Sequence, residues 1–283
     1  MGTERVSEPM HRTCSKEPGI ASVRSEPCDV LERLILVGVD HGDPEGFRRT
    51  RELLSRLKPD LVLIELSPFG RSLRVRLQQT LLRTLGANVS RACCELRLRS
   101  REAHRHPEIS RIRRQIALPF EYRAARRYCG SRDSRMLLCD ASDFSRHWIA
   151  SWPAMISLAN VRSLLMDQGS GRRHNSRNGY GMASRALAAE STEEWLWNRV
   201  LEKRWDSWWD RREQHLAKTV WAALHALRPL NPLYLGGWLH LLRGQDRPTL
   251  RGLLNIPRHR CMLLPEAARL QFLDRPFRAM QSR

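Results

Sequence analysis

Two short apolar runs constrain this chain most: Leu34–Val39 and Leu61–Ile64. Each is too short for a buried helix and too continuous for a strand wetted on one face. Runs of this kind fit strands covered on both faces, as in parallel sheets. Between them, after Pro44, the residues Phe47, Leu53, Leu54 and Leu57 form an apolar stripe at helical spacing. Lys58-Pro59-Asp60 ends that helix. A strand, a helix and a strand in this order predict a parallel crossover, and so an α/β fold.

The remaining pattern extends the reading. Residues 71–129 are predicted mainly helical, with breaks near Gly86 and Pro107. Met136–Asp140 is a third candidate strand. Residues 143–166 read as helix interrupted at Pro153. Residues 168–182 are rich in Gly, Ser, Asn and Arg and predict a flexible loop. A long helix is expected over Ser184–Leu227, a strand at Pro232–Gly236, a short helix at Thr249–Leu254 and a last strand at Arg260–Leu264. The expected architecture is a mostly parallel central sheet flanked by helices, with a long helical middle region. Residues 1–30 read as a disordered polar leader, 31–266 as a single α/β domain and 267–283 as a C-terminal tail.

Net charge is +19, from 49 basic and 30 acidic residues. Lysine occurs only at Lys16, Lys58, Lys203 and Lys218, so 45 of the basic residues are arginine. The arginines occur through nearly every predicted helix and often sit beside acids. That pattern fits surface composition better than a phosphate-binding face, so a nucleic-acid-binding protein acting through its Arg-rich surface is the least favoured alternative. The densest basic stretch is Arg97–Arg114. No run approaches the roughly 20 apolar residues of a membrane span, and residues 1–19 carry no apolar signal core. The seven cysteines form no C-x-x-C pair, as in a reducing compartment. A cytoplasmic location without membrane contact is expected.

In open α/β sheets, ligands gather beyond the carboxyl ends of strands. The first strand runs into Gly38-Val39-Asp40-His41, and the fourth into Gly237-Trp238-Leu239-His240. Both have the form G-x-x-H. With 16 glycines and 10 histidines in 283 residues, chance supplies about 0.6 such matches. The chain has three, and the third, Gly171–His174, has no strand before it. Glu65 ends the second strand. Two imidazoles and a carboxylate on one rim predict a three-ligand divalent metal site: His41, Glu65 and His240.

The segment from Leu34 to Gly70 resembles the opening of the TraB/PrgY/GumN family. That family lies in a wider group with TIKI proteases, haem-binding ChaN-like proteins and erythromycin esterases. The group shows G-x-x-H after the first strand, Glu at the end of the second, and a second G-x-x-H near the C-terminus. The chain carries these as Gly38/His41, Glu65 and Gly237/His240. A middle helix of the group often carries R-[DE]-x-x-M-A; here Arg212-Glu213-Gln214-His215-Leu216-Ala217 has Leu in place of Met. The resemblance spans roughly residues 33–264 and implies one cleft holding His41, Glu65 and His240, faced by Arg212.

The resemblance implies a metal-dependent hydrolase of a peptide, ester or lactone bond, acting on a small-molecule or peptide substrate. In it a divalent ion sits on His41, Glu65 and His240, and Glu65 is the general base where it is not a ligand. Arg212 neutralises substrate charge. Gly38, Asp43, Asp140 and Gly237 would line the cleft. Asp43 also suits the N-cap of the next helix. The alternative is a peptide- or haem-binding protein on the same fold. Trp195, Trp197, Trp205, Trp208 and Trp209 cluster in the long helical stretch, where they suit a core or a contact between subunits.

Overall fold

The computed structural model describes residues 29–167, 176–188, 207–243 and 247–269. The described strands are β1 (Ile35–Val39), β2 (Leu61–Ile64), β3 (Arg135–Leu138), β4 (Pro232–Gly237) and β5 (Cys261–Leu263). They form one parallel sheet in the order β3-β2-β4-β1-β5. The α/β architecture read from the sequence is therefore present. β1 and β2 are buried at every position, because helices cover both faces of the sheet.

On one face lie α1 (Asp29–Arg33), α10 (Ser176–Ala188), α11 (Ser207–Leu227) and α12 (Leu250–Leu253). Their side chains Ala183, Leu187, Leu216, Val220, Leu224 and Leu250 pack with Leu36, Leu61, Leu63 and Tyr234. On the other face lie α2 (Gly46–Leu57), α6 (Phe120–Cys129) and α13 (Leu264–Arg269). They bring Leu53, Leu54, Phe120, Tyr122, Leu264 and Ala267 against Val37, Val39, Val62 and Ile64.

The helical middle builds a third core. It comprises α3 (Pro68–Leu96), α4 (Ser100–Arg105), α5 (Pro107–Ile116), α7 (Ser142–Ala150), α8 (Trp152–Met155) and α9 (Leu158–Met166). Leu85, Val89, Ile109, Ile112, Trp152 and Val161 fill its interior. The arginines of the 97–114 stretch lie on α4, α5 and the turn before them, most of them exposed. Among the described residues no helix is long and apolar enough to cross a membrane.

Several boundaries differ from expectation for physical reasons. α3 runs through Gly86 without a break. A glycine there weakens the helix by about 1 kcal/mol relative to alanine, and burial of Leu85, Val89, Ala92 and Cys93 along one face outweighs that cost. The predicted loop at 168–182 is helical from Ser176 onward, while 168–175 lie outside the described residues. Its apolar period, Tyr180-Ala183-Leu187, straddles the boundary chosen from composition, so neither half carried it alone. The long helix over 184–227 divides into α10 and α11, and 189–206, with Trp195, Trp197 and Trp205, lies outside the described residues. So do the leader through residue 28 and the chain beyond residue 269.

Candidate functional site

Four parallel strands deliver polar residues to one edge of the sheet. β1 ends two residues before His41, β2 one before Glu65, β3 two before Asp140, and β4 leads into a short 3₁₀ turn, Trp238–Leu241, that carries His240. The order β3-β2-β4-β1 makes these ends neighbours. α11 adds Arg212 and Glu213 from one side, and the first turn of α6 adds Glu121 from the other.

Glu65 is the centre. Its Oε1 accepts from Arg212 Nη2 and lies 2.9 Å from His240 Nε2. Its Oε2 accepts the backbone N–H of Gly237 and lies 3.7 Å from His41 Nε2. A side chain on Gly237 would crowd this spot: a Cβ there would stand 3.3 Å from Glu65 Oε2 and 3.4 Å from His41 Nε2. Each histidine is also held from behind. Glu121 Oε1 pairs with His41 Nδ1. Glu213 Oε1 lies 2.5 Å from His240 Nδ1, an ion pair whose angle is not that of a hydrogen bond. Glu213 Oε2 accepts from the Leu250 N–H at 2.6 Å.

The two imidazoles differ in access. The His41 side chain is 53% exposed, whereas that of His240 is 1% exposed. Trp209 covers His240 with its ring stacked 5.5 Å away and 4° from parallel. Burial pulls down the pKa of both histidines, but the paired carboxylates outweigh it. Glu121 and Glu65 hold His41 well above the usual imidazole value. Glu213 and Glu65 push His240 up to about 10. Burial alone would raise Glu65; His240 and Arg212 reverse this and hold it well below the carboxylate range.

Arg212 reaches the cluster from α11 and is held by two carboxylates. Its Nε and Nη2 bond Asp140 at 2.7 and 2.8 Å, and Nη2 also bonds Glu65. Its guanidinium lies over Phe144 at 4.5 Å and Trp209 at 5.1 Å. It clamps two carboxylates, and Asp140 serves that clamp. At Gly38 two backbone segments approach closely. A Cβ there would stand 2.9 Å from the Trp238 backbone, so the glycine lets the turn that carries His240 lie on β1.

Asp43 is buried and joins the loop after β1 to its surroundings. Its Oδ1 accepts from the Glu45 N–H at 2.9 Å, and its Oδ2 from Arg49 at 2.7 Å and from the Tyr180 hydroxyl at 3.2 Å. The N-cap of α2 is Glu45, not Asp43.

The structure thus brings His41, Glu65, His240, Arg212, Asp140 and Gly237 together. It adds Glu121, Glu213, Trp209 and Tyr180, which sequence reasoning missed. One signal was available for Glu121: it is the sole acid between Ile109 and Arg132. Glu213 sits beside Arg212 in the quoted helix motif, but nothing local says that it faces a histidine.

Donor types here suit a divalent ion, since each imidazole has its second nitrogen on a carboxylate. The arrangement does not. His240 Nε2 and Glu65 Oε1 face each other at hydrogen-bonding distance, and the oxygens of Glu65 are taken by Arg212, His240 and Gly237. Among the described residues no group of three His, Cys, Asp or Glu side chains is placed to hold an ion. The side chains as they stand form a proton-linked charge cluster rather than a coordination sphere.

The fold and site together define an α/β protein with a buried His/Glu cluster at the carboxyl end of a parallel sheet. No family model, curated protein or solved structure matches the chain.

Proposed function

We propose that the chain is a hydrolase of acyl bonds (peptide, ester or lactone) with His41 as its general base. The reading rests on one arrangement: Glu121 holds Nδ1 of a half-exposed imidazole whose Nε2 faces Glu65 across 3.7 Å. Two carboxylates that stabilise the imidazolium strengthen the neutral ring's pull on a proton.

In the reaction, Nε2 of neutral His41 takes a proton from water. The hydroxide formed adds to the substrate carbonyl carbon. The bond to the leaving oxygen or nitrogen then breaks, and the proton on Nε2 passes to that atom. Glu121 and Glu65 stay ionised throughout. Arg212, Gly237 and His240 keep Glu65 in place and charged. Because only the neutral ring can act, and its pKa is raised, the rate rises with pH on the alkaline side of 6.5.

The test uses ester, lactone and peptide reporters with wild type, His41→Ala and Glu121→Gln. The expected loss in kcat/KM for His41→Ala is about 100-fold or more. Equal turnover by His41→Ala and wild type overturns the assignment.

A second reading keeps the divalent ion, and the charge balance favours it. Glu65, Glu121, Glu213 and Asp140 face two permanent cations, Arg212 in direct contact and Arg74, whose charge acts on Asp140 and Glu121. An ion on His41, Glu65 and His240 would replace two imidazolium protons at equal charge, once Glu65 has released its present partners. When bound, it would supply a Lewis acid and a water of lowered pKa. Activity lost on chelation and restored by one divalent ion selects this reading; activity unchanged by chelation selects the first.

A further inference from the structure

Arg71 and Arg74 stand about one turn apart at the start of α3, a helix with no acidic residue before Glu95. α3 starts at the sheet edge that holds the His/Glu cluster. Its N-cap, Ser67, follows Glu65 by two residues, and the Arg71 N–H donates to the Ser67 carbonyl at 2.9 Å.

Arg71 is half-buried and fixed at one end of its guanidinium. Its Nε donates to the Tyr122 hydroxyl at 3.0 Å, and Tyr122 is 2% exposed, so this anchor is rigid. Among the described residues Nη1 and Nη2 make no hydrogen bond, and no carboxylate lies within ion-pair distance. The residue before Tyr122 is Glu121, which holds His41 Nδ1. Neighbouring Cα atoms are about 3.8 Å apart. The first turn of α6 therefore holds the general base with one residue and this guanidinium with the next.

Arg74 adds a second positive charge, deeper in the protein. It is 6% exposed, bonds the Gly70 and Gln115 carbonyls at 3.2 and 3.3 Å, and lies over Trp152 at 4.9 Å. Asp140 and Glu121 act on it from beyond contact, and both are already bound, to Arg212 and to His41. A guanidinium with Nε fixed and both terminal nitrogens free offers a carboxylate two parallel donors at little further ordering cost.

We propose that Arg71 binds a free carboxylate of the substrate, so that the reaction at His41 takes acyl compounds carrying one negative charge near the scissile carbonyl. One free fork suits one charge, whereas a phosphate monoester brings about two. The place of Arg71 in a reaction rests on the hydrolase reading; its binding of a carboxylate does not.

Two pairs of esters test this. Mono-para-nitrophenyl adipate carries the carboxylate on the acyl side, against neutral para-nitrophenyl hexanoate. The hexanoate ester of para-hydroxybenzoate carries it on the leaving side, against that of para-hydroxybenzamide. In wild type at least one charged ester should exceed its neutral partner in kcat/KM about tenfold or more, through KM. Arg71→Gln should cut that preference about tenfold, and Arg71→Lys should restore part of it. A merely structural role would lower turnover of both members of a pair and leave their ratio alone. In parallel, calorimetry compares hexanoate, which has no bond to hydrolyse, with hexanamide. Hexanoate should bind wild type more tightly than hexanamide does, and Arg71→Gln should remove the difference. Hexanoate binding that needs Arg71, without turnover of any ester, overturns the hydrolase reading and supports the carboxylate site. Turnover without preference in either pair, or full preference in Arg71→Gln, overturns the carboxylate site and leaves the hydrolase reading standing. Neither turnover nor hexanoate binding overturns both.

Discussion

Gly237 and Glu65 meet through a single oxygen: the glycine N–H donates to Oε2, and a Cβ on the glycine would stand 3.3 Å from the same atom. Gly237→Ala therefore forces Glu65 or His41 to give by a few tenths of an ångström. The fold can absorb this, because both neighbours are side-chain atoms. The chemistry depends on the same separation and absorbs it less well. Kinetics and melting of Gly237→Ala should show kcat down roughly tenfold or more with KM little changed. They should also show a Tm within a few degrees of wild type, the shift expected for about 1 kcal/mol. A Tm that collapses along with activity would make Gly237 a structural residue only.

Arg212 is the largest single stake in the stability of the site. It is 8% exposed and bonds Asp140 and Glu65 together. Arg212→Leu takes the guanidinium from the buried Asp140 and leaves Glu65 with only the histidines and the Gly237 N–H, and should cost about 3–5 kcal/mol in urea denaturation. Asp140→Leu in the same background removes one of the stranded charges, so the double variant should lose less than the sum of the two single losses. Strict additivity would mean that the pair does not act as a unit.

Stability should fall on both sides of neutral pH. His240 is raised from 6.5 to about 10 on folding. Its contribution is whole below pH 6.5 and fades as pH climbs toward 10. Glu65 moves the other way, held well below its ordinary 4.5, so its contribution is present above that value and is lost in acid. Denaturation midpoints measured from pH 3 to pH 10 should trace this dome. His240→Gln should flatten its alkaline limb. An alkaline limb of equal slope in the variant would remove His240 as its cause.

The parallel sheet was legible because β1 and β2 are buried on both faces and must be written in Leu, Ile and Val. Gly-x-x-His at two strand ends was legible for a related reason: the chain must turn there, and the side chain that follows projects over the rim. Glu121 and Glu213 were not. Each lies on a helix far along the chain from its histidine, 80 residues from His41 in the case of Glu121. Only packing of α6 and α11 on opposite faces of the sheet brings them in. Arg212 was legible as a residue facing the cleft, whereas the carboxylates beside its guanidinium depend on which ones the fold places there. α10 was hidden by Gly179 and Gly181, which lower helix propensity. Gly179 has its own reason: a Cβ there would overlap the Asp40 carboxylate.

Tyr180 gives the last prediction. Its hydroxyl accepts from the Asp40 N–H at 3.1 Å and donates to Asp43 Oδ2 at 3.2 Å, so α10 is bonded to the loop that carries His41. Asp40 in turn accepts the Gly42 N–H at 2.8 Å, which shapes the turn on either side of His41. Tyr180→Phe keeps the ring and its packing but strands a backbone donor, at about 1–2 kcal/mol. The loop should loosen more than the fold does. Amide exchange at residues 40–43 should quicken well beyond the global change, and the pH–rate profile should shift toward lower pH as His41 loses its fixed approach to Glu121 and Glu65. Conversely, exchange at 40–43 that merely follows global stability, with an unshifted pH profile, would reduce Tyr180 to a packing residue of α10.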